Sequence, residues 1–293
     1  MKKYCGILLN QREKGERKTL AEIKLIATDL DGTFLQGGDT PHPENIKAVR
    51  ECQEAGIKVC ACTGRSFNHV KMILDEAKFD EFCVINNGAS IIDWRRGKHR
   101  YRNRFDPNSI RDIVDVLLSY DAPFGLTGFD TVYMLEGYTS DWYNMLSQRE
   151  REELNMYVYK SKEELVEACK DDVERMNLNL PFLQTFDDLS EKLGRVAEVE
   201  VTASGPSALE IAHADADKSQ TLMVLADIYN VKPENVLAFG DSFNDMYMLA
   251  WAGTGVAMGN ADPRLKTVAD YITDTNVNAG VAKAIRRIAL KRE

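Results

Sequence analysis

The chain has 293 residues, 44% hydrophobic and 28% charged, the balance of a globular protein with a sizeable core. Its 37 Lys and Arg against 46 Asp and Glu leave a formal charge of −9, which argues against a binder of nucleic-acid backbones. No apolar run approaches the roughly 18 residues that a membrane helix needs, so neither a nucleic acid nor a membrane is an expected partner.

In chain order, Met1–Leu20 holds a short apolar patch followed by the densely charged Gln11–Lys18, with no cleavage site, and reads as a disordered leader. Ile23–Thr28 is strand-like. Ile46, Val49 and Cys52 follow at helical spacing and are stopped by Gly56. Ile57–Cys62 is a second strand, Val70, Ile73, Leu74 and Ala77 form a helical stripe, and Phe82–Ile85 is a third strand. From Asp106-Pro107 the pattern changes to a helix reaching Tyr120, then a hairpin of Pro123–Gly128 and Thr131–Leu135. Strand signals return at Val196–Thr202 and Ala208–Ile211. A helical stripe through Leu222, Leu225, Ala226 and Tyr229 precedes a strand at Val236–Phe239, a helix at Met246–Trp251 and a strand at Gly255–Met258. A helix over Ala279–Leu290 ends the chain. The alternation of strands and helices predicts an α/β fold, a doubly wound parallel sheet made by 21–105 and 207–293. Residues 106–206 read as an inserted α+β domain. The six cysteines are too scattered for a disulfide scaffold and read as small buried hydrophobes of a reducing compartment.

In open parallel sheets, ligands sit beyond the carboxyl ends of the strands. Three such ends carry chemistry here: Asp29-Leu30-Asp31-Gly32-Thr33, Thr63-Gly64-Arg65, and Gly240-Asp241-Ser242-Phe243-Asn244-Asp245. Brought together, they put Asp29, Asp31, Asp241 and Asp245 in one crevice. Two carboxylates about 5 Å apart repel by roughly 3 kcal/mol at an effective dielectric near 20, so such a cluster needs a cation, a shared proton or basic neighbours. A hard divalent ion held by carboxylates and water, Mg²⁺, answers that need, and Arg65 and Lys218 beside it would attract a phosphate. Each motif alone could be a turn or a helix cap. A calcium loop starting at Asp29 fails, because Phe34 and Thr40 stand where Gly and Glu are required. Dinucleotide-binding, Walker and nucleophile-elbow glycine patterns are missing or incomplete.

These residues resemble the haloacid dehalogenase (HAD) superfamily, and within it the Cof-type phosphatases with a large type-2 cap. The likeness runs from Ile23 to the C-terminus. Asp29–Thr33 matches the family's DxDGT, Thr63 its strand-end threonine, Lys218 its lysine, and Gly240–Asp245 its GDxxND. Asn87-Gly88-Ala89 and Met258-Gly259-Asn260-Ala261 resemble two further family stretches. The resemblance implies a HAD-like core with a cap over 106–206. It further implies Asp29 as nucleophile and Asp31 as acid and base. Thr63, Gly64, Lys218 and Asn244 would bind the phosphoryl group. Mg²⁺ would be held by Asp29, the backbone carbonyl of Asp31 and Asp241, with Asp245 as ligand or support. Ser219 in place of the family's Gly, and Ala279-Gly280 in place of its Asp-Gly, depart from the pattern.

The expected activity is hydrolysis of small phosphate esters, sugar phosphates or other phosphometabolites, through an aspartyl-phosphate, by a cytoplasmic monomer or small homo-oligomer. A phosphomutase of the same superfamily and a non-catalytic phosphometabolite sensor are the rivals. His213 reads as a solvated or structural loop residue, Trp142, Tyr143 and Met145 as core of the insertion, and Glu150–Glu153 as a solvated helix face.

Overall fold

The structure, a computed structural model, describes residues 21–180, 186–205 and 208–292; the leader expected over Met1–Leu20 lies outside them. The chain forms two units. The first comprises the chain up to Arg65, Val70–Tyr101 and Asp217 onward; the second comprises Ser66–His69 and Arg102–Ala216.

The first unit is built on short, mostly apolar strands. Strands β1 (Leu25–Thr28), β14 (Val236–Gly240) and β15 (Thr254–Ala257) are buried at every residue, as a parallel sheet covered on both faces requires. With β4 (Lys58–Ala61) and β16 (Tyr271–Ile272) they make a parallel sheet in the order β16-β15-β14-β1-β4. A parallel bridge between Cys62 and Val84 joins on β5 (Phe82–Ile85), which belongs to a three-stranded sheet with β6 (Ser90–Asp93) and β7 (Lys98–Arg102). A small hairpin, β2 (Leu35–Gly37) and β3 (Thr40–Pro41), follows the first strand end.

Helices fill the connections. They are α1 (Pro43–Glu54), α2 (Phe67–Ala77), and, in the later part of the chain, Lys218–Ile228, Met246–Trp251, Pro263–Val268 and Gly280–Ala284. Helix α1 starts at Pro43, whose missing N–H costs nothing there, with His42 Nδ1 accepting from the Glu44 N–H. The described cysteines of this unit, Cys52, Cys60, Cys62 and Cys83, are free and buried, and burial pushes the Cys62 thiol up to about 12. They pack as hydrophobes and are poor nucleophiles. At the Ala279-Gly280 departure, Ala279 adopts φ 55°, ψ 38° at the start of the last helix.

The second unit carries a six-stranded sheet, order β10-β9-β8-β11-β13-β12. Its strands are β8 (Phe124–Thr127), β9 (Val132–Leu135), β10 (Met156–Tyr159), β11 (Arg175–Asn179), β12 (Val199–Gly205) and β13 (Ala208–His213). The expected hairpin is β8 and β9, paired antiparallel. Helices α3 (Ile110–Leu118), α4 (Asp141–Met145), α5 (Gln148–Glu153), α6 (Lys162–Cys169) and α7 (Phe186–Gly194) accompany it; the four late helices of the first unit are accordingly α8 to α11. One face of the sheet is apolar: Met176, Leu178, Leu209 and Ile211 pack with Ile113, Leu117 and Leu165 from the helices. Arg175, Asn177 and Asn179 alternate with them and point the other way, the period-2 rule of a strand covered on one side only.

Two expectations need correction. The sequence pattern places residues 207–293 together in the parallel-sheet domain, yet β13 pairs along five positions with β11 and fills the second unit's core through Leu209 and Ile211; the chain rejoins the first unit at Asp217. Of the three residues expected in the insertion's core, Tyr143 is buried, but Trp142 is 52% exposed and Met145 82% exposed, because α4 has barely more than one turn to bury. Glu150–Glu153 does lie on a helix with no buried residue. His213 accepts from the Asp215 N–H and packs edge-on against Phe105, a structural role. Among the described residues no helix is long and apolar enough to cross a membrane.

Candidate active site

The candidate site belongs wholly to the first unit and forms where parallel strands end. The ladder fixes it: the Asp29 N–H donates to the Phe239 carbonyl and the Cys62 N–H to that of Thr28, which levels the ends of β1, β14 and β4. The chain then leaves β1 in one irregular turn, Leu30–Phe34, with Asp31 extended and Gly32 at φ 72°. Only glycine fits at Gly32, since a Cβ there would lie 2.4 Å from Asp241 Oδ2.

Lys218 is the hub. It is 1% exposed, and its ammonium reaches both Asp29 Oδ1 and Asp245 Oδ1 at 2.8 Å. Asp217 caps the helix that Lys218 opens, accepting from the N–H groups of Ser219 and Gln220 and from the Ser219 hydroxyl. Serine after the lysine thus strengthens a helix cap. Asp245 is fully buried, and its second oxygen accepts from the N–H groups of Asp241 and Ser242. Asp241 accepts from the hydroxyls of Thr33 and Ser242 at 3.0 and 3.3 Å.

Carboxylate oxygens of Asp29, Asp241 and Asp245 lie within 4.8 Å of one another. Three acids share one lysine, and each close carboxylate pair repels by roughly 3 kcal/mol at a dielectric near 20. Burial, with the charges of Asp245 and Asp241 adding to it and Lys218 opposing, pushes the Asp29 carboxyl up to about 8. Asp241 is raised to about 6, again first by burial and then by Asp245. For Lys218 burial acts downward, but the two carboxylates outweigh it and hold the ammonium above its ordinary value. The site is short of positive charge. Its all-oxygen donor set fits a hard divalent cation. Asp245 is the least available of the three, because its oxygens accept from the Lys218 ammonium and from two backbone N–H groups, whereas those of Asp241 accept only from hydroxyls.

Of the four acids expected together, Asp31 stands apart. Its exposed carboxylate is gripped in a fork by Arg65, whose Nε and terminal nitrogen lie 2.8 and 2.6 Å from its two oxygens. Arg65 also pairs with Asp39 and the Gly38 carbonyl. Arg65 was expected to attract phosphate; the structure pairs it with two acids instead. Thr63 is fully buried at the end of β4, its hydroxyl accepting from the Arg65 N–H. Gly64 lies against Asn87, whose Oδ1 would be 2.8 Å from a Cβ at that position. The same Asn87 oxygen accepts from the Asn244 amide at 3.1 Å, tying together two loops far apart in sequence.

Four supporting residues carried no assigned role in the sequence reading: Thr33, Asp39, Asn87 and Asn260. The Asn260 amide donates to the Gly32 carbonyl, fixing the turn that carries Asp31. Thr33, Asn87 and Asn260 each sit inside a motif quoted for the family; Asp39 sits in a hairpin with no signal of its own.

Comparison with known proteins identifies the family. The profile described as haloacid dehalogenase-like hydrolase matches residues 26–285. A Bacillus subtilis protein named 5-amino-6-(5-phospho-D-ribitylamino)uracil phosphatase YcsE is 31% identical over 269 residues, covering 92% of this chain and 97% of that protein. The pyridoxal phosphate phosphatase YbhA of Escherichia coli is 28% identical over 274 residues, covering 89% and 97%. A solved haloacid dehalogenase-like hydrolase from B. subtilis superposes with a TM-score of 0.77 at 28% identity, over 91% of this chain and all of that one. The chain belongs to the haloacid dehalogenase-like hydrolases and is a phosphatase of their Cof type.

Proposed function

We propose that the protein is a Mg²⁺-dependent phosphatase that hydrolyses small phosphate esters, sugar phosphates or other phosphometabolites, through an aspartyl-phosphate on Asp29. The observation that carries this reading is the Asp29–Lys218–Asp245 chain beside Asp241: a buried carboxylate held at a sheet end by a lysine, in a cluster of three carboxylates around one cationic side chain. A structural acid has no reason to accept that repulsion.

Asp29 attacks phosphorus, forming the P–O bond as the bond to the leaving oxygen breaks. Asp31 gives its proton to that oxygen. It then takes a proton from the water that attacks the phosphorus of the aspartyl-phosphate, releasing inorganic phosphate and restoring Asp29. Arg65 orients Asp31 for both steps through its two-point grip. Thr63, the backbone at Gly64, Lys218 and the Asn244 amide hold the phosphoryl oxygens. Mg²⁺, held by Asp29, Asp241 and the Asp31 carbonyl with Asp245 in support, would supply positive charge against the oxygens of the transferring group.

The named activities of YcsE and YbhA support phosphometabolites as the substrate class. The second unit is proposed to select among them. The test is phosphate release from acetyl phosphate and a panel of phosphometabolites, with MgCl₂ and with a chelator. Release that needs Mg²⁺ and disappears in Asp29→Asn is expected; no release from any member would overturn the reading.

A further inference from the structure

Arg65 spends nearly its whole guanidinium on neighbours within the first unit. Its Nε and Nη2 donate to the two oxygens of Asp31 at 2.8 and 2.6 Å. Nη2 also donates to the Gly38 carbonyl at 3.3 Å, and Nη1 donates to Asp39 Oδ1. Four of the five N–H donors are thereby used, Asp31 along one edge of the plane and Gly38 with Asp39 along the next. The arginine side chain is 18% exposed, between carboxylates that are 58% and 76% exposed.

Asp39 stands in the two-residue turn between β2 and β3, and that hairpin is fixed at its base. The Phe34 carbonyl accepts from the buried Asn45 amide at 2.9 Å, and the Leu35 carbonyl from the Asn276 amide at 2.8 Å. Asp31 is placed otherwise: it leaves an irregular turn, and among the described residues its carboxylate is bonded to Arg65 alone. An arginine side chain is long and rotamer-rich, so a guanidinium held only by an exposed carboxylate would swing with it. Held also by Asp39 and Gly38, it carries the fixity of the hairpin across to Asp31. Neither stability nor attraction of phosphate accounts for Asp39. An exposed ion pair adds little to stability, and a second acid on Arg65 weakens its pull on an anion.

We propose that Asp39 is a positioning residue: through Arg65 it fixes the Asp31 carboxyl where it can hand a proton to the leaving oxygen. This rests on the phosphatase reading above, in which Asp31 protonates that oxygen. How much is asked of Asp31 depends on the leaving group. An alkoxide needs the proton in order to leave, whereas 4-nitrophenolate and acetate leave as anions. Loss of Asp39 should therefore fall hardest on poor leaving groups, a pattern that general damage to the site does not produce.

Two measurements on the full-length protein test it. Asp39→Ala should lower kcat/KM about tenfold for the fastest alkyl monophosphate of the panel above, and by no more than about threefold for 4-nitrophenyl phosphate. Asp39→Asn keeps an acceptor oxygen and should recover most of the loss. Arg65→Lys should show the same selectivity, and Asp39→Ala should add nothing to it, because the side chain it acts through is gone. Equal losses for the two esters, no loss for either, or a loss that multiplies with that of Arg65→Lys overturns the proposal. Turnover of acetyl phosphate with no alkyl phosphate turned over does so too, since Asp31 would then have no leaving oxygen to protonate. The second measurement is nuclear magnetic resonance of the Arg65 Nε–H, assigned by its absence in Arg65→Lys. It should be sharp in wild type and Asp39→Asn and broadened away in Asp39→Ala; an unchanged signal overturns the positioning whatever the turnover. Acetyl phosphate left intact by the wild type, with that signal behaving as expected, would overturn the phosphatase reading and leave the tether from Asp39 to Asp31 standing.

Discussion

Each unit buries acidic groups, but they balance them differently. In the second unit, fully buried Glu174 has Arg102 Nε at 2.6 Å, and the same guanidinium reaches Asp172, which also accepts from the Tyr133 hydroxyl. Arg102 answers one fully buried acid and one half-buried acid, two carboxylates to one cation. In the first unit one buried lysine faces Asp29 and Asp245 with Asp241 close by. The two-to-one set is a structural tie, retained because removing one member strands the others. The three-to-one set carries one more close carboxylate and makes sense where a cation and a phosphate complete it. Counting charges around a buried acid therefore separates scaffold from chemistry better than burial alone does.

The sharpest way to break that contrast is to remove the nucleophile. Asp29→Asn keeps the volume and the strand end, and should lower kcat by at least about 10⁴-fold while leaving the circular dichroism spectrum and cooperative unfolding unchanged. Full activity in this variant would reduce Asp29 to scaffold. Next come the hubs. Lys218→Met and Arg102→Met should each cost about 3–5 kcal/mol in denaturant titration, since both leave buried carboxylates unpaired. Only the first should recover stability on adding MgCl₂; equal recovery in both, or in neither, would erase the distinction between the units.

Arg65→Lys tests the grip on Asp31. Lysine keeps the charge but loses the fork, and because Asp31 is exposed the fold should be unaffected while kcat falls about tenfold. A change confined to KM would argue against a positioning role.

The smallest effect is thermal. Asp29 and Asp241 have folded-state values near 8 and 6, above the ordinary carboxylate value of 3.8, so the folded chain holds their protons more tightly than the unfolded one. Their contribution to stability is complete below pH 4 and is lost as pH rises through 6 and 8. Without metal, the melting temperature should drift down over that window. Protons and Mg²⁺ compete for the same oxygens, so MgCl₂ should raise the melting temperature more at pH 8 than at pH 5.5. A shift independent of pH would place the metal elsewhere.

Much of this was legible in the chain. The strands Ile23–Thr28 and Val236–Phe239 announce themselves because buried parallel strands are mostly apolar, and the acids that follow them interrupt that pattern abruptly. The gathering of Asp29, Asp241 and Asp245 around Lys218 follows once those strands are neighbours in one sheet. What the chain could not reveal is side-chain direction. Asp29 and Asp31 are two apart, as on one face of a strand, but the strand ends at Thr28 and the turn at Gly32 sends Asp31 toward Arg65 instead. Trp142 and Met145 look like core by residue type; a five-residue helix has too little surface to bury them. Strand Ala208–His213 is apolar at alternate positions, which tells that it has a buried face but not which sheet it joins.

The central claim is that the Asp29 carboxylate takes the phosphoryl group, and trapping it tests this most directly. Protein mixed with MgCl₂ and ³²P-labelled acetyl phosphate, quenched in acid within milliseconds and reduced with borohydride, should yield homoserine in place of Asp29 in the peptide that spans Leu25–Thr33. Phosphate release at full rate with Asp29 unlabelled and unreduced, or with the label on another side chain, would contradict it.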